Sequence, residues 1–299
     1  MDRLQAMDVF VAAATAGSFS AASRELRMPL PTVSRKIADL EAHLSAKLFV
    51  RSTRKLALTD VGQSYLASCK RILEEIAEAD RGASGQYNAP QGELIVTAPM
   101  VFGRLHVLPV VAEFLAAHPR VDVRLVQSDR HLSLIDEHLD AAVRIGKLPD
   151  SGLVATQLGT VRRVVCASPA YLEANGTPKS PERLEDHACV TFPGLGGAYP
   201  WVFRGDEPTR VRSRLTVNTA AAAIAGAVAG VGLTRVLSYQ VANEVARGEL
   251  AVVLKKFEPE AIPVSLVYVR ERRPTAKLRA FIDYAAPKLR ERLRAVSEL

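Results

Sequence analysis

The chain is poor in the residues that most catalytic motifs need. Its three cysteines, Cys69, Cys166 and Cys189, form no Cys-x-x-Cys pair in 299 residues, which removes the usual redox and zinc spacings. The six histidines build no His-Glu-x-x-His pattern, and His131 and His138 read as solvated side chains. No Gly-x-x-x-x-Gly-Lys-Ser/Thr loop, Gly-x-Ser-x-Gly elbow or strand-linked Gly-x-Gly-x-x-Gly turn occurs, so nucleotide binding and covalent catalysis lose their sequence support. No metal, no cofactor and no enzymatic role are expected. The longest nearly apolar run, Ala220 to Leu233, is short of the ~20 residues of a spanning helix, and predicts no membrane span. The start, Met1-Asp2-Arg3-Leu4, leads into amphipathic sequence unlike a secretory signal, which predicts a cytoplasmic protein.

What is abundant is positive charge. Lys and Arg number 39 against 32 acids, a net charge of +7 that favours polyanionic partners. Residues 24 to 55 hold Arg24, Arg27, Arg35, Lys36, Lys47, Arg51, Arg54 and Lys55 against Glu25, Asp39 and Glu41. A second basic run, Arg270 to Arg294, carries Leu278, Phe281, Ile282 and Leu289 at helical spacing and reads as the solvated face of a helix.

The first cluster sits in a compact helical pattern. Met7, Val9, Phe10 and Ala14 suit an amphipathic helix from Leu4 to Ala16 that Gly17 ends in the left-handed conformation. Ser18 caps a second helix bearing Phe19, Ala22 and Leu26, and Met28-Pro29-Leu30 stops it. Pro31 opens a third helix, whose Val33, Ile37, Leu40 and Leu44 face inward and whose Thr32, Ser34, Arg35, Lys36 and Asp39 face out. This is a helix-turn-helix reading, with the third helix suited to a DNA major groove; the plain alternative is a polar helix of a small bundle. Leu48 to Arg51 and Lys55 to Leu58 read as a hairpin, a wing whose Arg51, Arg54 and Lys55 suit backbone phosphates.

Thr59 caps a further helix running to about Arg81. Tyr65, Cys69, Ile72, Ile76, Ala79 and Ala83 alternate at four and three residues along it, the spacing of a subunit seam or of packing on its own domain. Gly82 to Gly92 then reads as a hinge. Beyond it strands alternate with helices, among them a helix over Leu105 to Ala117 and another over Leu132 to Leu139. The alternation predicts an α/β architecture with largely parallel sheets, and enough residues for two lobes. A small-molecule cleft is expected where strands give way to helices, at Thr97-Ala98-Pro99-Met100 and at Asn218-Thr219, with Ser128, Arg144 and Phe192 near other strand ends. Free amides at such a junction suit a carboxylate, although helix capping explains Asn218-Thr219 almost as well.

These residues resemble the LysR-type transcriptional regulators. The likeness is strongest over Phe10 to Thr59, in Gly17-Ser18-Phe19-Ser20-Ala21-Ala22, Thr32-Val33-Ser34-Arg35-Lys36-Ile37, Leu40-Glu41, Leu48-Phe49 and Arg51-Ser52-Thr53-Arg54, and extends over essentially the whole chain. It implies a winged helix-turn-helix (1–59), a linker or dimerisation helix with hinge (60–90) and a two-lobed α/β effector domain resembling periplasmic binding proteins (91–299). The expected DNA contacts are Ser20, Leu30, Pro31, Thr32, Ser34, Arg35, Lys36, Arg51, Arg54 and Lys55. The expected effector contacts are Thr97, Ala98, Pro99, Met100, Val101, Ser128, Arg144, Phe192, Asn218 and Thr219; Tyr65, Cys69, Ile72, Ile76 and Ala79 are the dimerisation set. The implied partners are double-stranded DNA, a small-molecule effector, further copies of the chain as homodimer or homotetramer, and the transcription machinery; the free amides at the strand-to-helix junctions point to an anionic effector. Two departures stand out: Met28-Pro29-Leu30-Pro31 replaces the usual entrance to the third helix, and Thr234-Arg235-Val236-Leu237 follows Gly230-Val231-Gly232-Leu233 where many members have a proline. The competing class is a solute-binding or enzyme domain whose N-terminal helices mediate protein contacts.

Overall fold

A computed structural model describes residues 2–51, 56–83, 90–149, 152–192, 201–205, 207–270 and 274–297. The chain divides into two units, Met1–Asn88 and Ala89–Leu299.

The first unit follows its apolar spacing closely. Helix α1 (Arg3–Ala16) is capped by Asp2, whose carboxylate accepts from the Gln5 amide, and ends at Gly17 with φ of 67°. Ser18 caps α2 (Phe19–Glu25) through the Ala21 amide. The turn is closed by Ser23, whose carbonyl accepts from the Met28 amide and whose hydroxyl donates to the Met28 carbonyl at 2.6 Å, with Arg27 in the left-handed region. Helix α3 (Leu30–Leu44) starts on Pro29 and Pro31 and buries Val33, Ile37 and Leu40 completely. Strands β1 (Phe49–Arg51) and β2 (Leu56–Leu58) pair antiparallel as the hairpin, and α4 (Asp60–Ala83) follows. Thr59 caps α4 by accepting from the Gly62 amide. Gly62 has to be glycine, because a Cβ there would lie 2.1 Å from the Leu48 carbonyl oxygen. Phe10, Phe19, Phe49 and Tyr65 stack edge-on or tilted at 5.3 to 5.5 Å around this core.

The second unit holds two five-stranded sheets, one per lobe. The first has the order β4 (Val121–Gln127), β3 (Gly92–Ala98), β5 (Ala141–Ile145), β14 (Ile262–Val269), β6 (Leu153–Val161), and the second β11 (Arg212–Thr216), β8 (Ala188–Thr191), β12 (Leu233–Leu237), β7 (Arg163–Ala167), β13 (Ala251–Val253); β9 (Trp201–Val202) and β10 (Pro208–Thr209) pair apart from both. In lobe 1, β3 lies parallel to β4 and β5, whereas β14 runs antiparallel to β5 and to β6. In lobe 2, β8 is parallel to β11 and β12, which is antiparallel to β7. Strand β13 is antiparallel to β7 as well. The sheets are therefore mixed rather than largely parallel: strands that arrive from the other lobe enter the sheet against its direction. Alternate residues of β7 feed two cores, Val165 and Ala167 on one face and Val164 and Cys166 on the other.

The connection after β3 is one continuous helix, with α5 (Met100–Phe102) and α6 (Leu108–Ala117) joined by a π-helical stretch, Gly103–Val107. By length and composition it could cross a membrane, contrary to the expectation of no such helix; in the fold Phe102, Val107, Val110, Val111 and Phe114 lie in the lobe 1 core. They pack there with α10 (Ala276–Ser297), whose Leu278, Phe281 and Leu289 are buried while Arg279 and Arg294 are exposed. The expected helix over Leu132 to Leu139 is instead a series of turns that buries only Leu134 and Leu139, with His138 left-handed at φ of 52°. Eight residues with two inward side chains offer too little apolar face to hold a helix.

Two segments cross between the lobes, one at Arg162 and one between β13 and β14. The turn Ser238–Gln240 after β12 leans on the first: the Ser238 amide donates to the Arg162 carbonyl at 2.8 Å, and the Arg162 amide donates to the Ser238 hydroxyl at 3.1 Å. The Arg162 guanidinium pairs with Glu258 of the second crossing at 2.7 Å.

Candidate functional site

The polar face of α3 is open to solvent. Ser20, Pro31 and Arg35 are exposed, Leu30 is 41% exposed, and Thr32 and Ser34 are half-buried. Pro29 supplies no side-chain cap, so the positive end of the α3 dipole is not offset by its own N-cap residue. Lys36 is half-buried and donates to the Gln5 side chain of α1 at 2.5 Å, which ties the helix to its neighbour and leaves the ammonium two further protons. Arg51 ends β1, while Arg54 and Lys55 lie outside the described residues.

Sequence reasoning missed the residue that positions the hairpin against this helix. Glu41 is 6% exposed, and its Oε1 accepts from the Leu48 and Phe49 amides at 2.9 and 3.2 Å, while its Oε2 pairs with Lys47 at 2.8 Å. Burial alone would raise the carboxyl; the Lys47 bond and the two amides outweigh it and hold Glu41 below the usual carboxylate range. The signal was a carboxylate one turn beyond Ile37, on the buried stripe.

The seam on α4 is partly used within the chain. Cys69 is fully buried in the first unit's core, with Tyr65 and Ile72 packed against it, so of the two readings of this spacing, packing on its own domain holds for that half. Ile76 is half-buried and Ala79 exposed.

The structure satisfies most polar groups of the first expected cleft junction internally. The Thr97 hydroxyl donates to the Val126 carbonyl at 2.9 Å and Ala98 is buried. Past Pro99, the Met100 amide donates to Asp129 Oδ1 at 3.0 Å, so a carboxylate of the chain itself caps that helix end. Val101 packs against the lobe 1 core, Ser128 accepts from the Arg130 amide, and Arg144 donates to the Leu132 carbonyl at 3.0 Å. In lobe 2, Phe192 packs in a core, Asn218 is exposed, and Thr219 caps α8 (Ala220–Val228) through the Ala222 amide at 3.2 Å. A cavity of about 810 Å³ opens elsewhere, between Phe203, Arg204 and Gly205 of lobe 2 and Lys147, Ile262 and Pro263 of lobe 1, and none of the expected effector residues lines it. Burial without counter-charge pushes the Cys166 and Cys189 thiols up to about 12, which keeps them inert.

Comparison with known proteins agrees with both halves of this architecture. Residues 4–63 match the bacterial regulatory helix-turn-helix proteins of the lysR family, and residues 88–290 match the LysR substrate binding domain. The HTH-type transcriptional regulator CrgA of Neisseria meningitidis serogroup B is 34% identical over 289 residues, 95% of this chain and 96% of that protein. The uncharacterized HTH-type regulator YhjC of Escherichia coli K12 is 31% identical over 98% of this chain and 100% of its own length. The solved structure of CrgA, a LysR-type transcriptional regulator, matches with a TM-score of 0.61 at 32% identity, covering 95% of this chain and 98% of that one. A Corynebacterium glutamicum OxyR mutant shares the fold, with a TM-score of 0.65 at 19% identity over 100% of this chain and 96% of that one. With an open polar helix beside a hairpin in the first unit, two lobes in the second and relatives matched nearly end to end, the chain belongs to the LysR family of DNA-binding transcriptional regulators.

Proposed function

We propose that this regulator binds promoter DNA sequence-specifically through α3 and is switched by a small anionic effector received between its lobes. The observation that carries the DNA part is the exposed Arg35, with Thr32 and Ser34, on a helix whose opposite face is sealed in the core. Arg35 can donate two hydrogen bonds to a guanine edge, while the α3 N-terminus and hairpin approach phosphates. For the effector, Asp129 holds the Met100 amide and Thr219 the Ala222 amide, so an anion received between the lobes would depend on the further amides of these two helix starts and on a cation such as Arg144, whose guanidinium donates to the Leu132 carbonyl. Assembly into a homodimer or homotetramer through the distal part of α4, around Ile76 and Ala79, would set two reading heads on half-sites about 34 to 36 Å apart or a multiple of it. Footprinting with the purified chain tests this reading. Two half-sites one or more turns apart are expected, with affinity falling steeply as salt rises. Arg35→Ala should cost about 1–3 kcal/mol on the operator and relax base choice. Equal weakening on random and operator DNA would remove the base-reading role.

A further inference from the structure

The lobe 1 helix carries a costly feature that DNA and effector binding do not use. His106 lies inside the π-helical stretch, 6% exposed, and neither ring nitrogen has a hydrogen-bond partner among the described residues. A buried polar group without a partner is retained against a desolvation penalty, and π-helical turns gather at functional positions. What holds the imidazole is aromatic packing. Its ring centroid is 4.8 Å from Phe102 and 5.6 Å from Tyr239, and those two rings meet edge-on at 5.2 Å. Tyr239 belongs to the turn Ser238–Gln240 that is hydrogen-bonded to Arg162 at the crossing between the lobes. On the other side, Arg292 of α10 donates to the Leu105 carbonyl at 3.1 Å, and its own Nε is buried without a hydrogen-bond partner among the described residues.

We propose that Gly103–Val107 is a latch on the interlobe hinge: closed while His106 is sealed against Phe102 and Tyr239, open when the stretch loosens and the imidazole reaches water. Opening removes the seat of Tyr239, and with it the support of the Ser238–Arg162 crossing. An effector received between the lobes can bias the latch through the crossing that Tyr239 and Ser238 support; that regulatory part rests on the effector reading above, the latch itself does not.

A proton is the simplest probe of the two states. In the closed state, burial and then the Arg292 charge push His106 down to about 4, whereas in water an imidazole titrates near 6.5. The other ionisable groups nearby are the Tyr239 phenol, pushed up by burial, and Asp129, whose charge acts on Tyr239. Protons therefore bind the open state more tightly, and going from pH 7.5 to 5.5 should raise the open fraction about tenfold.

Hydrogen exchange on the full chain, expressed as protection factors so that intrinsic rates cancel, tests this. In the wild type, protection of residues 103–107 and of 238–240 should fall together by about tenfold between pH 7.5 and 5.5, while that of α8 stays constant. In His106→Phe, which fills the slot without titrating, the fall should vanish; His106→Gln serves the same purpose if the phenylalanine variant does not fold. Flat protection in the wild type, or an equal fall in the variants, overturns the latch. So does loss confined to 103–107, because the hinge would then be uncoupled. None of these results bears on effector binding, which fails or stands separately by thermal shift with carboxylate probes such as benzoate.

Discussion

Glu41 and His106 face the same predicament, an ionisable side chain enclosed by apolar neighbours, and the two units treat it in opposite ways. In the first unit, both oxygens of Glu41 are engaged, by two amides and a lysine from the segment entering the hairpin. In the second, both nitrogens of His106 lack a hydrogen bond among the described residues, and the rings of Phe102 and Tyr239 pack against the group. A fully satisfied buried network fixes one geometry, as a surface that reads DNA in register needs. An unsatisfied one keeps a second geometry within a few kcal/mol, as a domain that must change shape needs.

The largest expected effect breaks the satisfied side. Glu41→Ala would orphan the Leu48 and Phe49 amides and free Lys47, at a cost of about 3 kcal/mol, since each buried amide without a partner forfeits its desolvation energy. Denaturant unfolding should show the loss in the first unit, and operator affinity should fall because the hairpin loses its anchor to α3. Glu41→Gln keeps an acceptor and should cost less. A loss under 1 kcal/mol for the alanine variant would mean that water replaces the carboxylate, and that the first unit is no more firmly wired than the second.

Acid separates the units next, and by sign. The folded value of His106 is depressed, so an unfolded chain takes up a proton near 6.5 that the folded chain refuses until about 4; stability is present above that window and is lost as pH falls through it. Between pH 7.5 and 5.5 this withdraws about 1.4 kcal/mol from the second unit. The Glu41 carboxyl is also depressed, so its contribution stays intact down to its unfolded value of 4.5 and is lost only below that. Two-transition melting should show the second unit shifting first on mild acidification, and His106→Phe should remove that shift. A first unit that softens before the second would reverse the comparison.

How much of this was readable in the sequence follows from the range of the interactions. The inward stripe Val33, Ile37 and Leu40, the Ser18 cap and the Gly17 stop are local, and the structure holds them as the spacing predicts. Glu41 and His106 were equally visible as lone ionisable groups on apolar stripes, one turn beyond Ile37 and Phe102 respectively, but only the fold decides which of them finds partners. Periodicity found the helix after Leu105 and could not see its π-helical stretch, because a stretched hydrogen-bond ladder leaves no mark on residue type. The cleft was least legible. Asp129 reaches Met100 across 29 residues, and the cavity is lined from Lys147, Phe203 to Gly205 and Pro259 to Pro263, segments that no local pattern brings together.

The smallest effect sharpens the comparison from within the second unit. Thr219 accepts from the Ala222 amide as an ordinary helix cap, so this site is satisfied even though it lies in the unit that carries the unsatisfied imidazole. Thr219→Ala should cost about 1 kcal/mol, the usual worth of such a cap, and the cost should be the same at pH 7.5 and 5.5 because no titrating group is involved. Thr219→Ser should restore it. If the alanine penalty instead grew on acidification, α8 would be coupled to His106, and the softness assigned to one helix of lobe 1 would have to be shared by the whole two-lobed unit.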